Sequence, residues 1–129
     1  MTNDNIQNSP AHKAMAEAAL EVLDTKFLRA LCEPVRIEII RRLITGGASD
    51  IATIAGTLSQ DRSVVSRHLA ALEQARITTS RKVGRQVFYD LDGPYITAKV
   101  QSILDAIAPM AELCKPFDAF DKAPNSGAA

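Results

Sequence analysis

LSQDRSVVSRHLAAL, residues 58–72, is the stretch on which the fold turns. Val65, Leu69 and Leu72 recur at i, i+4 and i+7, so a helix here carries one apolar stripe to bury. Arg62, Ser63, Ser66, Arg67 and Ala70 fall on the opposite face. That outward set is short, polar and basic, and it suits a groove better than bulk water. Asp61 is placed to cap the helix by accepting orphan amide protons of the first turn, with Ser59 as the competing cap. The pattern predicts the turn and second helix of a helix-turn-helix. Taken alone, it fits an ordinary amphipathic surface helix equally well.

The residues beyond Ala75 tip the balance. From Ile77 the period changes to two: Thr78, Ser80 and Lys82 alternate with Thr79, Arg81 and Val83. Gln86-Val87-Phe88-Tyr89-Asp90-Leu91 is rich in strand formers, and Gly84 in the sequence Val83-Gly84-Arg85-Gln86 supplies a hairpin turn. Two strands around a basic tip make a wing. Six bases (Arg62, Arg67, Arg76, Arg81, Lys82, Arg85) stand against three acids between residues 59 and 91, in a chain whose formal net charge is zero. The positive charge is therefore concentrated in the segment that would meet nucleic acid.

Working outward, residues 11–31 are Ala-rich and helix-favouring, with Ala19, Val22, Leu23, Phe27, Ala30 and Leu31 as one stripe. Pro34 ends this helix and opens the next, over residues 34–45. Ile37, Ile40, Leu43 and Ile44 are expected inward there, and Arg36, Arg41 and Arg42 outward. Gly46-Gly47 stops it. A short helix over residues 49–58 comes next, capped by Ser49 or Asp50, with Ile51, Ile54, Ala55 and Leu58 on its core side. After Gly93-Pro94 a last helix carries Ile96, Val100, Ile103, Leu104, Ile107 and Ala111 towards Cys114, kinked or split at Pro109. The expected fold is mainly α with a small β-hairpin: a winged helix-turn-helix in the order α-α-α-α-β-β-α. The long apolar stripe of the last helix, with the Ala-rich first helix, exceeds what three small helices need and fits dimerisation through the terminal helices. The alternative is that both simply cap their own core.

At 129 residues, 47% of them apolar and 23% charged, the chain has the size and composition of one globular domain. Residues 1–10 and 115–129 are expected to be disordered tails around a winged-helix DNA-binding and dimerisation domain over 11–114. No apolar run approaches the ~20 residues that span a bilayer. The polar N-terminus lacks a signal-like segment, so a cytoplasmic location is expected. Cys32 and Cys114 form no C-x-x-C and no disulfide framework.

Residues 28–91 closely resemble the ArsR/SmtB family of winged-helix transcriptional repressors. The matching pieces are Leu28-Arg29-Ala30-Leu31 with Pro34, Arg36, Ile37, Ile39 and Ile40; Ile51, Ile54 and Leu58; Val65-Ser66-Arg67-His68-Leu69 with Leu72; and Gly84-Arg85 with Val87, Tyr89 and Leu91. The resemblance implies a homodimer that binds a palindromic operator in double-stranded DNA and lets go when an effector binds. In a helix-turn-helix the recognition helix enters the major groove, with half-sites ~34–36 Å apart. The candidate DNA-binding residues are Gln60, Arg62, Ser63, Val64, Ser66, Arg67 and His68 on the helix and its turn, and Arg81, Lys82 and Arg85 on the wing. The arginines can reach phosphates or guanine edges, and the serines let the helix approach closely. His68 either contacts a phosphate or caps the face.

Metal-sensing members carry cysteines in a segment that here reads Gly47-Ala48-Ser49-Asp50-Ile51. Others use histidines of the last helix, which here has Asp105 and Glu112 but no histidine. With only His12 and His68 in the chain, the roughly four ligands a zinc site needs do not converge. No metal or other cofactor is expected. Members that sense persulfide or oxidants place their first cysteine where this chain has Arg41, so Cys32 does not match. Cys32 and Cys114 remain open between buried inert thiols, a thiol-based switch, and a site for arsenite or another soft ligand. A small organic inducer is a further alternative. A winged-helix protein-interaction module without DNA binding is the competing class, against which Arg62 and Arg67 argue. An enzyme is not expected: there is no Gly-rich phosphate loop, and neither histidine stands beside a candidate nucleophile.

Overall fold

The computed structural model describes residues 9–23 and 25–117. They belong to two compact units, one within residues 24–99 and a terminal unit drawn from residues 1–23 and 100–129. Of the tails expected at 1–10 and 115–129, residues 1–8 and 118–129 lie outside the described residues, and Pro10 already belongs to the first helix. The elements in chain order are α1 (Pro10–Leu23), α2 (Lys26–Ala30), α3 (Pro34–Gly46), β1 (Ser49–Asp50), α4 (Ile51–Thr57), α5 (Arg62–Gln74), β2 (Thr78–Val83), β3 (Gln86–Leu91), α6 (Gly93–Ile107) and α7 (Met110–Leu113). The protein is mainly α-helical with a small antiparallel hairpin, as expected. The order α-α-α-α-β-β-α is corrected in three places.

The single helix expected over 11–31 is two. Thr25 adopts an extended conformation and its Oγ1 accepts from the Leu28 amide at 3.4 Å, so a new helix starts there. The break divides the expected stripe: Phe27 and Ala30 are buried, whereas Leu23 is exposed. At the other end the last helix is split at Pro109, one of the two outcomes expected there, which adds a helix to the order, with α6 ending at Ile107 and α7 starting at Met110. The third correction is a strand. Ser49 and Asp50, expected only as the candidate caps of a helix, pair antiparallel with Tyr89 and Phe88, giving a three-stranded sheet of order β1-β3-β2. Asp50 still caps α4, its Oδ1 accepting from the Thr53 amide at 2.9 Å, while its Oδ2 accepts from Gln86 Nε2 at 2.9 Å.

The core of the 24–99 unit is built around α5, which packs against α2, α3, α4 and β2. Val65, Leu69 and Leu72 are fully buried, together with Ile39, Ile54 and Ile77. Each such side chain contributes about 1.5–3 kcal/mol by leaving water. In α3 the expected phase holds for Leu43, Arg41 and Arg42 and fails for Ile37, Ile44 and Arg36. Ile39 and Leu43 are buried, while Ile37 and Ile44 are 40% and 67% exposed. The stripe that meets α5 passes through Ile39 and Leu43, and at helical spacing it carries Arg36 with it instead of turning it outward. Pro34 opens α3 behind the N-cap Glu33, and Gly47, at φ +72°, closes it with its amide on the Leu43 carbonyl.

α5 ends in a Schellman turn: the Arg76 amide donates to the Glu73 carbonyl and the Ile77 amide to the Leu72 carbonyl, both at 2.9 Å. Arg76 takes the left-handed conformation, φ +63°, where glycine is usual. Its guanidinium lies 4.0 Å from the centre of the Tyr95 ring, a cation–π contact that offsets part of the strain. The hairpin turns in two residues, Gly84-Arg85, with Val83 opposite Gln86 and Gly84 at φ +63°. The Asp92 amide donates to the Ile77 carbonyl and closes the hairpin's base, and Asp92 Oδ1 accepts from the Tyr95 amide at the start of α6.

Candidate nucleic-acid interface

α5 presents the expected outward face. Arg62, Ser63, Ser66, Arg67 and Ala70 are all exposed, Gln60 is exposed in the preceding turn, and Val64 and His68 are half-buried on one flank. Asp61 occupies the N-cap position but makes no capping hydrogen bond with its side chain, contrary to expectation. Its carboxylate leaves the first-turn amides of α5 without a side-chain partner at the end that carries Arg62 and Ser63. Asp50 lies nearby. Hydrogen bonds from Thr53 hold its carboxyl below the usual 3.8, and the Arg62 charge adds to this.

The two flanks of α5 are tied by side chains. On one, Arg36 of α3 donates from Nε to His68 Nδ1 at 3.1 Å. On the other, Ser80 of β2 donates from Oγ to Glu73 Oε2 at 3.1 Å. Between α5 and the wing, Ser66, Ala70, Glu73, Gln74 and Tyr89 line a shallow groove of about 350 Å³. Burial raises the Tyr89 hydroxyl above its usual 10.0, and the Glu73 carboxylate raises it further. Arg36, Glu73, Gln74 and Tyr89 were all missed from sequence. Placing Ile39 and Leu43 inward would have found Arg36, which precedes them by three and seven residues on one face.

Arg81, Lys82 and Arg85 are exposed on the wing, but on different sides. Lys82 shares a face with Ser80, towards α5. Arg81 points to the other face, where it lines a cleft of about 590 Å³ with Ala48, Phe88 and Asp90. The strand alternation separates residues that are adjacent in sequence.

Cys32 and Cys114 are both free thiols, exposed in the single chain. Cys32 ends the turn after α2, and its Sγ donates to the Leu28 carbonyl at 3.2 Å. Cys114 lies just past α7, beyond the helical stripe on which it was expected. Among the described residues no three of His, Cys, Asp and Glu stand together to hold a metal ion. No helix of the described residues is long and apolar enough to cross a membrane.

A helix-turn-helix joined to a two-stranded wing is a winged-helix fold, and known proteins of similar sequence place it among DNA-binding transcriptional regulators. No family model matches the chain. It is 33% identical over 94 residues to the HTH-type transcriptional repressor SmtB of Mycobacterium tuberculosis, covering 71% of this chain and 67% of that protein. It is 30% identical over 84 residues to the arsenical resistance operon repressor of Escherichia coli, covering 65% and 71% respectively. Among solved structures, an ArsR-like transcriptional regulator from Rhodococcus sp. RHA1 superposes with a TM-score of 0.60 at 25% identity, over 83% of this chain and 93% of that one. The chain belongs to the ArsR/SmtB family of DNA-binding transcriptional regulators, and these relatives are regulators rather than enzymes.

Proposed function

We propose that the protein is a homodimeric repressor that grips a palindromic operator and is released by an effector. Gln60, Arg62, Ser63, Val64, Ser66, Arg67 and His68 contact the major groove and its edges, and Lys82 and Arg85 with Arg81 contact the flanking backbone. The observation that carries this reading is the two-sidedness of α5. Its inner row, Val65, Leu69 and Leu72, is fully buried, while Arg62, Ser63, Ser66 and Arg67 stand exposed along its first two turns. A row of small hydroxyls flanked by arginines lets a helix approach base edges and still bind phosphate.

The dimer is supported by α6. Ile96, Val100, Ile103, Leu104 and Ile107 lie along it, yet none of its residues is buried in the single chain. Leu20 and Leu23 of α1 are also exposed. Apolar surface of this extent on a helix is what an intermolecular contact covers. Release through Cys32 and Cys114 is supported by their accessibility as free thiols.

The test is DNA binding to the protein's own upstream region, with reduced protein and with protein treated with persulfide or peroxide. Tight binding of the reduced form, lost on treatment and restored by dithiothreitol, is the expected result. Binding indifferent to redox state would remove the thiol route and leave the repressor reading standing. No binding by the reduced protein would sink the operator-binding reading itself.

A further inference from the structure

Arg36 is a cation in an unfavourable place. It lies in the first turn of α3, at the positive end of that helix's dipole, where a base destabilises the helix. It is only partly exposed, and among the described residues no carboxylate pairs with it. Its Nε–H is committed to His68 Nδ1 at 3.1 Å. That bond makes Nδ1 the acceptor, so the neutral ring carries its proton on Nε2. The terminal amino groups of the guanidinium remain uncommitted.

A partly buried, unpaired charge is costly unless its counter-ion comes from outside the chain. His68 is the residue after Arg67 on α5, about 100° further round the helix. Donors therefore run from the outward face at Arg67, over His68, to Arg36 on the neighbouring helix. We propose that Arg36, held in place by His68, binds a phosphodiester of the DNA backbone beside the recognition helix. Anchoring at Nε leaves the planar fork free to meet two phosphate oxygens. This contact rests on the reading of α5 as the DNA-facing helix.

The experiment compares the full chain with its Arg36→Gln and Arg36→Lys variants on two duplexes, one from the protein's own upstream region and one random, over a salt series. Glutamine keeps a donor for His68 but carries no charge, and lysine keeps the charge. Arg36→Gln should weaken binding roughly tenfold on both duplexes. It should also reduce the slope of log Kd against log salt by about 0.9 per subunit. Arg36→Lys should keep the wild-type slope. An unchanged slope in Arg36→Gln, or equal losses in both variants, would overturn the site. Thermal melts check folding, and Arg36→Met, uncharged and of similar length, replaces the glutamine variant if that one unfolds. Wild-type protein that binds neither duplex at low salt would overturn the α5 reading, and with it this contact, without reference to any variant.

Discussion

Thr78 lies at the foot of the wing, 2% exposed, with its Oγ1 buried and without a hydrogen-bond partner among the described residues. A lone buried hydroxyl forfeits its hydration and gains nothing in return. Thr78→Val keeps the branched shape a strand favours and removes the orphan, so it should raise stability by about 1 kcal/mol. A shift of the urea midpoint to higher concentration would bear this out, and a shift to lower concentration would show that Oγ1 has a partner in solution. Asp50 is the opposite case, a carboxylate with both oxygens engaged. Its folded-state pKa is depressed below 3.8. The stability it contributes is therefore fully present above that value and is lost as pH falls through the lowered one. Asp50→Asn should lower the urea midpoint at pH 7, and the gap from wild type should narrow below about pH 4. A gap that widened in acid would contradict the assignment. At this scale much was legible in the sequence. Val65, Leu69 and Leu72 announce the inner face of α5 because Val64 is the one large apolar residue of that helix off their stripe. α3 offers Ile37, Ile39, Ile40, Leu43 and Ile44, apolar nearly all round, so periodicity alone could not fix which side meets α5.

The wing and α5 are joined by a hydrogen bond from Ser80 to Glu73 on the face that carries Lys82. Glu73 is exposed in the groove it shares with Ser66 and Tyr89, so its charge opposes any phosphate that approaches there. Glu73→Gln should tighten binding to specific and random DNA alike, because the repulsion it removes does not depend on base sequence. In the same variant the Tyr89 hydroxyl should ionise closer to its usual 10.0, read from the ultraviolet absorbance of tyrosinate. An unchanged Tyr89 titration would mean that the two groups do not feel each other in solution. The hairpin itself was legible, since Gly84 between two β-prone runs leaves little choice of turn. β1 was not. Two residues carry no period, and Ser49-Asp50 takes its strand geometry only from the partners that β3 offers it. The break at Thr25 was hidden for a related reason: an Ala-rich run favours helix on both sides, and one side-chain cap decides where it restarts.

At the largest scale, apolar side chains stand open on the terminal helices, with Leu104 52% and Leu20 68% exposed. Under the proposed dimer, Leu104→Glu places a charge in the seam and should give monomers in sedimentation at concentrations where wild type is dimeric. Operator affinity should fall with it, because a single recognition helix reads one half-site. A variant that stayed dimeric would move the seam away from α6. The pairing of Ser49 and Asp50 with Tyr89 and Phe88 has a topological consequence as well. The chain between them, holding α4, α5 and most of the wing, is a loop clasped by its own sheet. A protease nick at the exposed turn residue Gln60 would leave one fragment owning β1 and the other owning β2 and β3. The cut protein should therefore stay together until it is denatured. By the same logic the amides bonded within the middle turns of α5, unlike the uncapped ones of its first turn, should exchange with solvent in step with the opening of the clasp.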